Sequence, residues 1–279
     1  MGDFIHHYTD IDTLALILKH RTIRFNRLDN VDDLTETTSF IKLNLAEFFF
    51  ISCWTYDTNE SIPLWNMYTK NMAGVRMSLP RDFFKYSPLV MPKHYQQYQN
   101  GNINSPVPFD KMFTNKYMIL PNFIDPRHFS REVIYSKDYQ TKKNNSINVN
   151  VSTQGIFDCK IKDPTGIAAY KSPDWEFQKE YRYVLFIFPS LPLPPSGPFS
   201  KQFADTIPNF IAQKLHKGEG PPIEYIDIDI DKDILNNIHI TTGPLCTEGD
   251  ILIVESLLSK YTSSGILKRS KLEGTIRRL

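Results

Sequence analysis

The stretch "WEFQKEYRYVLFIFP", Trp175 to Pro189, limits the fold more than any other part of the chain. Its second half, Val184 to Phe188, is a continuous apolar run, the pattern of a strand covered on both faces. Successive side chains on a strand point to opposite faces. Read as one strand, the stretch puts Gln178, Glu180 and Arg182 in line with Val184, Phe186 and Phe188. An amide, a carboxylate and a guanidinium then stand in a row where a core strand begins. Such a row is either a solvated strand end, whose Glu–Arg pair is worth roughly 0–1 kcal/mol, or the wall of a functional site.

The rest of the chain supplies elements for that strand to pack against. "FIHHYT" reads as a strand over Phe4 to Thr9, with His6 and His7 on opposite faces. "TDIDTLALILKHR" reads as a helix, with Ile11, Leu14, Ile17 and Leu18 at helical spacing and a capping box between Thr9 and Asp12. "TIRFNR" is the next strand. An amphipathic helix is expected around Phe40 to Glu47, and "FFFISCWT" is a central strand. "SIPLWNMYTK" suits a short helix with Pro63 in its first turn. "GVRMSL", "REVIYS" and the alternating "IEYIDIDI" are further strands. "KDILNNI" and "EGDILIVESLLSKY" are helices, with the strand and turn "HITTGP" between them, and the tail "GILKRSKLEGTIRRL" is one or two basic edge strands. The elements mix irregularly, which predicts an α+β fold. The chain reads as a single domain over residues 1–279. Irregular insertions fall near 87–115 and 140–155, and a proline-rich loop at 189–200.

Composition narrows the class. Of 279 residues, 41% are hydrophobic and 23% charged, the balance of a globular rather than a disordered chain. A net charge of +1 provides no overall field for nucleic acid or an anionic membrane. Cys53, Cys159 and Cys246 are odd in number, far apart and without a CxxC pair, which suits free thiols in a reducing compartment. No metal site is read from their spacing. There is no secretory signal pattern and no apolar run of about eighteen residues. A cytoplasmic protein without a membrane partner is the expectation.

Polar residues gather in four places. His6, His7 and Tyr8 lie on the first strand. Asp29, Asp32, Asp33 and Glu36 form an acidic loop, for which helix capping and solvated charge are cheaper explanations than cation binding. Trp65 and Tyr68, three apart on one helical face, are either core or walls of a pocket for a flat ring. Gln178, Glu180 and Arg182 complete the set.

In this order, "HYTDIDTLALILKHRTIRF", "VDDLTE", "SCWTYDTNESIPLWNMYTKNMAGVRMSL", "WEFQKEYRYVLF" and "ITTGP" resemble a widespread bacterial family known by an uncharacterised-domain label, number 2971. The resemblance runs from about His7 to Tyr261. Trp54 stands where that family often has Ser, and Val31-Asp32-Asp33 replaces its "NDP". The same landmarks also resemble, more distantly, the ADP-ribosyltransferase superfamily, which includes toxins and defence effectors. That resemblance implies a mixed, mainly antiparallel split sheet with flanking helices. It also implies an NAD-consuming enzyme that uses NAD as co-substrate, transferring ADP-ribose to a protein or nucleic-acid acceptor or hydrolysing NAD. In it Glu180 and Gln178 are catalytic, and His7, Tyr8, Trp65, Tyr68 and Arg182 bind the cofactor. Arg182 either neutralises Glu180 or meets a phosphate. Two alternatives stand beside this one: an inactive nucleotide- or protein-binding module, and an RNA-processing phosphate transferase with a basic cleft near Arg24, Arg27, Arg76 and Arg182.

Overall fold

The computed structural model of the chain describes residues 4–36, 45–90, 103–151, 157–163, 165–198 and 200–277. Its main elements are β1 (Phe4–Thr9), α1 (Ile11–His20), β2 (Thr22–Arg27), β3 (Phe49–Thr55), α2 (Ile62–Tyr68) and β4 (Val75–Pro80). They are followed by β5 (Glu180–Pro189), α3 (Lys201–Lys217), β6 (Tyr225–Asp229), β7 (His239–Thr242), α4 (Glu248–Tyr261) and β8 (Ile266–Lys268). The strands form one mixed, mainly antiparallel sheet in the order β6-β2-β3-β1-β4-β7-β8, with β5 along the other edge of β3. The α+β expectation holds. Only β7 and β8 pair in parallel in this order, and the basic β8 lies at the sheet's edge.

β5 is the strand that the apolar run demands. Tyr181, Tyr183, Leu185 and Ile187 face a core that also holds Ile5, Leu14, Leu18 and Phe25. Val184, Phe186 and Phe188 face a second core with Phe49, Ile51, Phe203 and Leu215. Each large apolar side chain so covered contributes about 1.5–3 kcal/mol relative to exposure. β5 runs antiparallel to β3 from Glu180 opposite Thr55 to Phe186 opposite Phe49.

The other edge of β3 is shared, and this sharing makes the site. β2 pairs with Phe50 and Ile51, whereas β1 meets β3 only where His6 lies opposite Thr55. Between them Ser52, Cys53 and Trp54 have no ladder partner on that edge among the described residues. The sheet is split there. A strand edge left open exposes backbone groups that need partners, and the His7 Nδ1–H donates to the Cys53 carbonyl at 2.9 Å.

Several expectations need correction. The strand begins at Glu180, not earlier: Gln178 ends a 3₁₀ turn over Pro173–Gln178, and Lys179 links the two in the left-handed region at φ 41°. Glu180, Tyr181 and Arg182 are buried rather than a solvated strand end. The capping box on α1 does not form; Asp10 is the N-cap, without a side-chain capping bond to the helix, and Asp12 accepts from the Thr13 N–H instead. "REVIYS" divides into short strands at Ser130–Glu132 and Ile134–Tyr135. In the helix expected near Phe40, residues 40–44 lie outside the described ones, and Ala46–Phe48 forms a 3₁₀ turn. The first excursion carries the short strands Ser87–Pro88 and Asn104–Ser105 and a helix at Phe109–Met112. The second contains a helix at Tyr139–Ser146 and an antiparallel hairpin. α3 falls on a segment for which the periodicity above names nothing; Ser200 caps it, and Gly218 closes it at φ 63°.

Candidate functional site

A pocket of about 230 Å³ opens at the split. Its wall includes His6, His7 and Tyr8 of β1, Arg24 and Asn26 of β2, and Cys53 and Thr55 of β3. Asp32, Tyr68, Lys171, Gln178, Glu180 and Arg182 complete much of the rest. Residues far apart in the chain, Tyr8, Tyr68, Gln178 and Glu180, therefore meet at one hollow. The register qualifies the part played by the histidines. His6 lies opposite Thr55, which lies opposite Glu180, so His6 shares the face of Glu180. Strand alternation turns His7 to the other face. There its ring stands 5.2 Å from that of Trp54, and it lines the pocket from the split.

Behind the pocket wall lies a buried ionic network that the row of polar residues only hinted at. All five N–H groups of Arg182 are used. Nε donates to Glu180 Oε1 at 2.6 Å, and one terminal nitrogen donates to Glu36 Oε2 and the Ala168 carbonyl at 2.5 and 3.0 Å. The other reaches Glu36 Oε1 and Glu180 Oε2 at 2.7 and 2.9 Å. Lys171 lies within 3.0 Å of Glu36 and 3.4 Å of Glu180, under the Trp175 ring at 4.6 Å. Glu36 is 0% exposed, Arg182 1% and Glu180 5%. Two acids and two bases cancel, which is how a protein keeps such groups charged in its interior. Arg182 accordingly has no donor left for a phosphate and acts as the counter-ion of Glu36 and Glu180.

Lys171 also orders the neighbouring hydrogen bonds. An ammonium only donates, so the Gln178 atom at 2.8 Å from it is the amide oxygen. The amide nitrogen is then committed to donate to the Tyr68 hydroxyl at 2.8 Å. Burial, with Asp32 and Glu180 nearby, pushes the Tyr68 phenol well above its ordinary pKa, so it stays protonated. Burial alone would raise the Glu180 carboxyl. Arg182 and Lys171 more than offset that, and Glu180 is held ionised below the usual carboxylate range. Burial, and then the Arg76 charge, lowers His6 to about 3, while burial lowers His7; both are neutral. Because Nδ1 of His7 carries the proton given to the Cys53 carbonyl, its Nε2 is the free acceptor.

Local sequence explains these placements. Ser61 caps α2 by accepting from the Leu64 N–H, and Pro63 sits in the first turn. Leu64 and Trp65 bury against Tyr8, which leaves Tyr68 one turn on at the pocket. Trp65 does not line the pocket. It is fully buried, meets the Tyr8 ring edge-on at 4.7 Å and donates Nε1–H to Glu60. Its part is to seat α2. The left-handed Lys179 reverses the chain so that Gln178 and Glu180 both reach the hollow, and its carbonyl accepts from the Tyr56 N–H and the Thr55 hydroxyl. The glycine of "ITTGP" has a packing reason: a Cβ on Gly243 would lie 2.2 Å from the Met72 carbonyl oxygen. Asp29, from the acidic loop, pairs with Arg27. Cys53 is a free thiol.

Glu36, read above as a cap or solvated charge, is fully buried in this network, and Lys171 carries no sequence signal of a role in it. Glu36 was legible only as the last acid of "VDDLTE". Lys143, also fully buried, lies behind Glu36 and donates to its carbonyl at 3.4 Å. Burial lowers its pKa to about 8. The unfolded chain then binds more protons between about pH 8 and 10.5, so this group makes stability rise with pH across that window. Lys143→Met is expected to be more stable than the wild type at pH 7 by on the order of 1–3 kcal/mol. It should also lose the alkaline rise, as urea unfolding at pH 7 and pH 10 would show; a less stable variant at pH 7 contradicts this account.

The family model "Protein of unknown function (DUF2971)" matches residues 64–183. The match covers a little under half of the chain. It takes in Tyr68, Lys171, Gln178, Glu180 and Arg182 and leaves out β1 and Glu36. No curated protein and no solved structure matches the chain. Among the described residues no helix is long and apolar enough to cross a membrane.

Proposed function

We propose that the pocket binds NAD and that the protein consumes it, passing ADP-ribose to a protein or nucleic-acid acceptor or to water, in the cytoplasm. The observation that carries this reading is the meeting of Tyr8, Tyr68, Gln178 and an ionised Glu180 at one hollow in a split sheet. Breaking the nicotinamide–ribose bond develops positive charge on the ribose, as glycoside cleavage does. A carboxylate already oriented by Arg182 and Lys171 stabilises that charge without reorganising. Gln178, its oxygen held by Lys171, orients the incoming nucleophile. At about 230 Å³ the pocket is smaller than the ~300–1,000 Å³ that encloses a drug-sized ligand. It takes the nicotinamide end of the dinucleotide and leaves the remainder on the surface.

The test is nicotinamide release from NAD, alone and with mixed protein and RNA acceptors. The wild type should release it, and Glu180→Gln, checked for fold by circular dichroism, should be slower by about 10²-fold or more. No release by the wild type under any of these conditions overturns the proposal. A binding module without catalysis is favoured by one observation: both Glu180 oxygens are already engaged by Arg182. Binding of NAD without release is its signature. The phosphate-transferase alternative needs unoccupied guanidinium groups. Arg24 and Arg27 are paired with Asp227 and Asp29, Arg76 donates to the Asp57 and Thr58 carbonyls, and Arg182 is saturated.

A further inference from the structure

The charges around the pocket can be balanced group by group among the described residues, and one is left over. Lys171 and Arg182 cancel Glu36 and Glu180. Arg24, on the rim, is held by Asp227 through two hydrogen bonds of 2.9 and 3.1 Å. His6 and His7 are neutral, and burial keeps the Cys53 thiol and the Tyr8 and Tyr68 phenols protonated. Behind the wall, Arg76 faces Glu60 and Asp57, and Asp57 pairs with Lys179. Lys143 faces Asp33. The remaining charge is that of Asp32, an exposed residue on the pocket wall with no salt-bridge partner among the described residues. Its neighbour Tyr68 is a protonated, neutral phenol and does not cancel it.

We propose that the pocket selects an organic monocation over its neutral isostere and that Asp32 sets this preference. The identity of the cation, a pyridinium ring, rests on the proposed function; the charge preference does not. A full negative charge on the wall of a small hollow attracts a cation that enters it. An uncharged ring of the same shape gains nothing from the carboxylate but contact.

The experiment is calorimetric titration of the full chain with 1-methylnicotinamide, a cation, and with nicotinamide, its neutral counterpart. The wild type is expected to bind the cation about tenfold more tightly. Asp32→Asn, an exposed substitution, should remove that preference by weakening cation binding alone, and Asp32→Glu should keep it. The wild-type preference should shrink between about 0.02 M and about 0.5 M salt. Equal affinity of the wild type for both rings, binding of neither, or a preference unchanged in Asp32→Asn overturns the proposal. The two ideas fail separately. Nicotinamide release without any cation preference sinks this inference and leaves NAD consumption standing. A preference abolished in Asp32→Asn with no nicotinamide release leaves a cation-binding pocket and removes the enzyme.

Discussion

Arg182→Met is expected to destabilise the protein by about 3–5 kcal/mol at neutral pH, the cost of removing one partner from a buried ionic group. Its guanidinium is the bridge between Glu36 and Glu180, and every N–H it has is spent within the protein. Without it, the two carboxylates keep only Lys171 as a salt-bridge partner among the described residues, with Lys143 behind Glu36. The wild-type acids are held below their ordinary range by Arg182 and Lys171. In the variant, burial and mutual repulsion should raise them instead. The pH slope then changes sign. Folded-state carboxyls with raised pKa values bind more protons than unfolded ones, so the variant should lose stability as pH rises from about 4 to about 7. Urea unfolding across that range is the measurement. A loss below about 1 kcal/mol at pH 7 would show that Arg182 is not the keystone of the network.

The second large effect is acid unfolding of the wild type. Burial pushes Glu36 up, but Arg182 and Lys171 outweigh it and bring its pKa to about 2, from an ordinary value of 4.5. A depressed carboxyl contributes stability that is complete above the unfolded pKa and is lost as pH falls towards the folded one. Glu36 should therefore withdraw on the order of 3 kcal/mol between about pH 4.5 and pH 2. Glu180 shifts in the same direction and adds to the loss. Glu36→Gln removes its share of the acid-dependent term, so its stability should fall less steeply over that window while starting lower at pH 7. Thermal melts at pH 2.5, 3.5, 4.5 and 7 distinguish the two proteins. Parallel curves would mean that Glu36 is not held ionised in the fold.

These two expectations also show where the sequence could be read and where it could not. The apolar run after Arg182 and the alternation in "IEYIDIDI" are local signals, and β5 and β6 follow from them. The helical spacing of Ile11, Leu14 and Leu18 works the same way in α1. Tyr8, Tyr68, Gln178 and Glu180 stand out as polar residues on apolar elements, the resemblance alone gives them roles, and the structure brings them to one pocket. Trp65 stood out equally and went to the core, since aromatic spacing on a helix marks a buried face without saying whether a cavity lies beyond it. Between the two histidines the resemblance favours His7; the register across β1, β3 and β5 puts His6 with Glu180.

The amino-acid order alone marks most of the longer strands and helices, α3 excepted, and the strand that is covered on both faces, because those properties repeat every two or 3.6 residues and need no distant partner. Pairing across the chain is of another kind. Glu36 meets Arg182 from 146 positions away, and Lys171 reaches both acids from a two-residue strand that no periodicity announces. The split beside Ser52–Trp54 arises from how β1 and β2 divide one edge of β3. Whether Glu180 would be a solvated strand end or a buried, ionised acid beside a hollow was decided by those long-range contacts, since burial and neighbouring charge, not residue type, set the state of a carboxyl group.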